Sequence, residues 1–226
     1  MKIKFETYYS TSPSKQTAYK PMNNRNNIPE VDARLRTELM TYLSKFQTLT
    51  SEEVEAIAAN MKVKLYEKGS VLVNEGDICN ECYFVLKGCL RQYRLVNGIE
   101  KTTQFYTEEQ AAVFFTSYTT QAKSESYLSC VEDSILLIGE PAKETEMYQK
   151  FPKLIEITRQ MMEQDFGKTQ DALAYFMASS PEERYLNLLE NRPDLLQRVP
   201  QHQLAGYIGV TPESLSRIRK RILKEK

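Results

Sequence analysis

VPQHQLAGYIGVTPESLSRIRKRI, residues 199–222, reads as a helix, a tight turn and a second helix. Leu204 and Ile208 stand one helical turn apart and face inward. Ala205 is small where a second helix has to cross closely, and Gly209 supplies a turn residue able to take positive φ. Thr211 fits an N-cap and Pro212 the first helical position after it. Leu215, Ile218 and Ile222 then form a buried stripe, while Glu213, Ser214, Arg217, Arg219, Lys220 and Arg221 fall on the other faces.

From Thr211 to Lys226 six basic residues (Arg217, Arg219, Lys220, Arg221, Lys224, Lys226) stand against two acids, Glu213 and Glu225. A basic, polar helix face following a tight turn suits the DNA major groove. An ordinary helical hairpin with a solvated face shares the charge. The joint spacing of Leu204, Ala205, Gly209, Leu215 and Ile218 favours DNA. Glu213 and Arg217 lie four apart on one face and, with Ser214, are the candidates for base edges, a carboxylate accepting from the cytosine amino group and a guanidinium donating to guanine. Thr211, Arg219, Lys220 and the His202-Gln203 start of the preceding helix are the candidates for phosphate contacts.

Upstream, Ser180-Pro181-Glu182-Glu183 opens a helix with a complete capping box, ending near Asn191-Arg192-Pro193. Before it a helix of about 25 residues from Pro152 carries Met162, Phe166, Thr169, Leu173 and Phe176 in a 4-3-4-3 rhythm, the seam of a two-helix contact. Between Val63 and Gly139 the texture is β: Val71–Val73, Tyr83–Leu86, Tyr93–Val96, Leu128–Val131 and Ile135–Ile138, separated by turns at Lys68-Gly69, Glu75-Gly76-Asp77, Lys87-Gly88, Asn97-Gly98 and Glu132-Asp133-Ser134. Asn97-Gly98 between alternating runs predicts a hairpin. Short strands at this spacing predict an antiparallel barrel or sandwich. Two helical stretches precede it, one on Leu35, Leu39, Tyr42, Leu43 and Phe46, the next opening at Thr50 or Ser51 with Glu52-Glu53. Residues 1–27, rich in Ser, Thr, Asn and Lys, read as a flexible tail.

Composition removes other chemistry. Lys plus Arg equals Asp plus Glu, 30 against 30, so any nucleic-acid surface must come from local clustering. His202 is the only histidine, which excludes a metal site built on two or more His and leaves little room for a catalytic triad. No phosphate-binding glycine motif is present, and the expectation is a protein without enzymatic activity, metal or cofactor. No aliphatic run approaches the ~20 residues that span a bilayer, and no signal-like segment opens the chain, so the expected setting is cytoplasmic, away from membranes.

With these residues in view, the chain resembles the Crp/Fnr family of bacterial transcription regulators. Gly209 to Ile222 is especially similar to Bacteroidetes-type members, and the likeness extends from about Ile28 onward through the glycine turns and Phe151-Pro152. The resemblance implies an α+β fold: an antiparallel β-roll (a cyclic-nucleotide-binding-like jelly roll) with flanking helices at 28–140, a dimerisation helix and linker at 141–178, and an all-helical helix-turn-helix domain at 179–226. It implies a homodimer on double-stranded DNA, RNA polymerase as a candidate partner, and an effector that the sequence does not name. The rival is a β-roll ligand-binding or adaptor protein that no longer binds DNA; the intact cap, turn and basic face from Gly209 to Arg221 stand against it.

Two departures bear on the sensor. Relatives that bind a cyclic nucleotide hold its phosphate with an Arg, yet no Arg lies between Arg94 and Arg159, and Glu109-Gln110 stands where a Gly-Glu turn is expected. Phe105 to Met147 holds eight acids against two Lys, and Glu125, near the expected Arg position, would repel a phosphate. The expectation is that cyclic nucleotides do not bind. Pro212, likewise, stands where base-reading relatives often carry an Arg. Cys79-x-x-Cys82 with Cys89 and Cys130 invites an iron–sulfur reading, but the cluster cysteines of oxygen-sensing relatives lie mostly before the β-roll, and free Cys is a common core residue.

Overall fold

In strands β3 (Cys82–Lys87) and β8 (Ser134–Gly139) nearly every position is apolar, because both faces of this pair are covered. Tyr83, Val85, Leu136 and Ile138 point into the space between two sheets, while Phe84, Leu86, Ile135 and Leu137 point the other way into a layer of helices. The register sets Val85 opposite Leu136 and Tyr83 opposite Ile138, which keeps the two sets on their own sides. The computed structural model describes residues 28–224; the tail expected at residues 1–27 lies outside the described residues.

The remaining strands are β1 (Lys62–Tyr66), β2 (Val71–Val73), β4 (Leu90–Val96), β5 (Ile99–Tyr106), β6 (Ala111–Ala112) and β7 (Tyr127–Cys130). Two four-stranded antiparallel sheets result, ordered β1-β8-β3-β6 and β2-β7-β4-β5, the jelly-roll-like sandwich expected from the turn spacing. Asn97 and Gly98 both take positive φ, 54° and 75°, and turn β4 into β5. Helices α1 (Ile28–Leu43) and α2 (Ser51–Ala58) cover the outer face of the first sheet with Leu39, Leu43, Val54 and Ile57. Thr50 caps α2 in a complete capping box with Glu53. The short α3 (Phe115–Thr120) bridges β6 and β7.

After the sandwich come α4 (Pro141–Lys150) and α5 (Lys153–Ala178), then α6 (Pro181–Asn191), α7 (Pro193–Arg198), α8 (Gln201–Ile208) and α9 (Pro212–Lys224). Ser180 and Glu183 form the capping box that opens α6. Leu154, near the start of α5, is buried among the N-terminal helices, and Ile157 and Met161 pack against the same cluster. The α5 stripe stays in solvent: Phe166 is 66% exposed, Leu173 59% and Met162 49%. Among the described residues no helix is long and apolar enough to cross a membrane.

The terminal helices are not a separate bead. Their core of Leu188, Leu195, Val199, Leu204, Ala205, Ile208 and Leu215 is continuous with Cys89, Phe105 and Val131 of the sandwich. Helix α8 lies on β5 at Gly206, where a Cβ would make ordinary contact, 3.5 Å from the Thr102 nitrogen and 3.8 Å from the Glu100 carbonyl. The Phe105 and Tyr207 rings meet edge to face, centroids 5.2 Å apart.

Candidate nucleic-acid interface

Helices α8 and α9 form the expected pair. Leu204, Ala205 and Ile208 of α8 and Leu215, Ile218 and Ile222 of α9 are buried against each other and against α6 and α7. Gly209 ends α8 in the left-handed conformation, φ 82°, where a side chain would be strained, and its amide donates back into the last turn of α8. Thr211 Oγ1 accepts from the Ser214 amide at 3.3 Å, so the predicted cap is in place.

The polar side of α9 faces outward. Thr211, Glu213, Arg217 and Lys220 are exposed, and Ser214 and Arg219 are half-buried beside them. Arg217 donates to Ser214 Oγ at 3.1 Å, joining two of the candidate base-reading side chains. The Glu213 carboxyl lies below its ordinary value, held there by the free backbone N–H at the helix start, the Thr211 hydroxyl and Arg217, so it is charged at neutral pH. Arg221 is drawn aside into an ion pair with Glu182 of α6.

The start of α8 has a different setting. His202 is exposed, but both it and Gln203 line a cleft of about 320 Å³ shared with Arg91, Tyr93 and Glu100 of the sandwich. The Gln203 Oε1 atom is buried there and has no hydrogen-bond partner among the described residues. Gln203, assigned to a phosphate from the sequence, thus lines a cleft against the β-roll.

Sequence reasoning missed what clamps this unit to the sandwich. Arg198, at the end of α7, donates to Glu108 through Nη1 and Nη2, both at 2.9 Å, and to Glu132 through Nε at 3.0 Å and Nη2 at 2.5 Å. Glu108 also accepts the Gly88 amide at 2.9 Å. Burial would raise the Glu108 carboxyl, but Arg198 and the amide together hold it below the usual carboxylate value. Arg192 adds a bond to Thr107 at 3.1 Å. The partners of Arg198 lie 66 and 90 residues away, so no local pattern announces them.

Within the sandwich Glu125 lies on the outside, 77% exposed at the side chain and paired with Arg94, so it does not bear on a ligand in the way its place in the sequence suggests. Asp165 of α5 is half-buried. Burial raises its carboxyl, opposed by Lys168 and the Ala111 amide of β6, and its charge reaches Tyr106 inside the sandwich. The four cysteines are free: Cys89 lies in the core of the terminal helices, Cys79 and Cys130 in the core of the sandwich, and Cys82 is half-buried on β3. Burial pushes the thiols of Cys82, Cys89 and Cys130 up to about 12, which disfavours the thiolate a metal would need.

Residues 63–139 match the family model of the cyclic nucleotide-binding domain. No curated protein sequence matches the chain significantly. Among solved structures, the chain resembles the c-di-GMP-responsive global regulator CLP of Xanthomonas campestris, with a TM-score of 0.61 at 14% identity over 78% of this chain and 93% of that one. A CooA variant from Carboxydothermus hydrogenoformans gives 0.59 at 14% identity, covering 78% and 82%. FixK2 from Bradyrhizobium japonicum gives 0.57 at 14% identity, covering 73% and 85%. The likeness is one of fold: a β-roll of the cyclic nucleotide-binding type, followed in the same chain by a long helix and a terminal helical unit.

Proposed function

We propose that this chain is a homodimeric, sequence-specific transcription regulator that binds double-stranded DNA through α8 and α9. The observation that carries the reading is the division of α9, with Leu215, Ile218 and Ile222 buried and Glu213, Arg217 and Lys220 exposed directly after a capped, glycine-turned start. The exposed α5 stripe supports pairing with a second copy about a two-fold axis, which matches a palindromic operator. Residues 28–140 act as sensor, 141–178 as dimerisation helix and linker, and 179–226 as DNA-binding unit. RNA polymerase is the candidate partner of the DNA-bound dimer, in the cytoplasm.

The β-roll of this regulator takes no cyclic nucleotide. A phosphate held out of water is best met by a bidentate arginine, and the span from Arg94 to Arg159 offers none. CLP is described as responsive to c-di-GMP, so calorimetry against cyclic AMP, cyclic GMP and cyclic di-GMP tests this part. No binding is expected, and micromolar binding at one ligand per subunit would overturn it.

Mobility shifts in graded salt test the DNA reading. Arg217→Ala is expected to weaken the best site by about 1–3 kcal/mol and random DNA little. Lys220→Ala should weaken both alike and reduce the salt slope by about 1. An adaptor role predicts no shift of any fragment at moderate salt.

A further inference from the structure

Arg184 of α6 ties three elements together. Its Nε donates to the Phe176 carbonyl in the last turn of α5 at 3.0 Å, and its Nη1 donates to the Ile208 carbonyl at the end of α8 at 3.1 Å. Its guanidinium lies over the Phe176 ring, 3.6 Å from the centroid. A Cβ on Gly209 would stand 3.2 Å from Arg184 Nη1 and 3.5 Å from the Phe176 ring, so the turn between α8 and α9 is packed on the same pair. Tyr175 reinforces the joint through a hydrogen bond from its hydroxyl to the Glu183 carbonyl at 3.1 Å.

The chemistry explains why an arginine suits the place. The last carbonyls of a helix have no partner within it and carry the negative end of its dipole, so α5 and α8 both present acceptors here. A guanidinium offers several donors in a fixed plane and can stack on a ring while it donates; an ammonium is a point charge and cannot do all three. Phe176 is also the last residue of the apolar stripe on α5. One side chain therefore joins that stripe to the turn from which α9 departs.

We infer that Arg184 is a positioning residue that fixes the angle of the α8–α9 unit on α5 and so sets the separation of the two α9 helices in the dimer. The inference rests on the dimeric DNA-binding reading for its consequence, but not for its geometry. A plain helix cap would affect melting alone; a positioning residue also changes an angle.

Spin labels at Gln164→Cys on α5 and Ser216→Cys on α9, both exposed positions, report that angle within one subunit of spin-diluted protein. Cys79, Cys89 and Cys130 are buried and Cys82 is half-buried, all four with raised pKa, so the native thiols should react slowly. The native chain is expected to give one narrow distance distribution, and Arg184→Met a broadened or displaced one. Arg184→Lys keeps the charge and should fold, yet it should also broaden, because it cannot bridge both carbonyls over the ring. On palindromes of graded half-site spacing, both variants should lose the native preference for one spacing. Native-like distances in either folded variant would overturn the assignment. If the native protein shifts no DNA, the DNA reading fails while the distance measurement still judges Arg184.

Discussion

Helices α5 and α9 both carry an apolar stripe, and only one of them covers it. In α9, Leu215 is 1% exposed and Ile218 and Ile222 8%, because α6, α7 and α8 close over them. In α5, Phe166 and Leu173 stay more than half exposed at the end of a narrow 4-3-4-3 stripe. The patterns look alike in sequence, yet one closes a core within the chain and the other stays uncovered within it. A narrow stripe on a long helix fits one facing helix, whereas the stripe of α9 meets three neighbours.

Substitutions in the two stripes should therefore fail in different ways. Phe166→Asp with Leu173→Asp places charges in the seam without touching any buried residue. The expected result is complete loss of the dimer at unchanged helix content, read by light scattering; a persisting dimer would place the seam elsewhere. Leu215→Ala, by contrast, should leave the dimer intact and destabilise the terminal helices by about 2–5 kcal/mol in thermal or urea unfolding.

Smaller effects probe the bond between the terminal helices and the sandwich. Arg198→Met removes the clasp on Glu108 and Glu132, for about 1–2 kcal/mol, since both carboxylates keep some water. The Glu108 carboxyl is lowered in the folded state, so its contribution is complete at neutral pH and is lost as pH falls below about 4. Melting of the native protein should show that acid limb, and Arg198→Met should flatten it. Ser180→Ala, at the capped start of α6, is expected to lose about 0.5–2 kcal/mol and to leave both stripes as they are.

Local features are legible in the sequence. Asn97-Gly98, the Ser180 box, the Gly209 turn and the inward set of α9 each depend on residues within a few positions of one another. Strand β1, KVKLY, falls at the start of the β-textured stretch but is not among its named runs, because its lysines interrupt the apolar pattern. Strand β5 was implied only by the hairpin turn: IEKTTQFY keeps Thr102 and Phe105 inside and sends Lys101 and Thr103 to solvent. Helix α7 is six residues long and offers no full period. The Arg198 clasp, the Arg184 joint and the burial of Gln203 join segments far apart in the chain, so tertiary packing alone reveals them. Glu125 shows the converse, a residue with a suggestive position whose side chain leaves the sandwich altogether.

Selection of genomic fragments by the purified protein, followed by sequencing, tests most directly whether the exposed faces of α9 and α5 work together on DNA. The native dimer is expected to enrich a palindrome whose half-sites lie about one helical turn apart, ~34–36 Å, and the Phe166→Asp, Leu173→Asp monomer should enrich nothing comparable. Equal recovery of unrelated fragments by the two proteins would contradict the account.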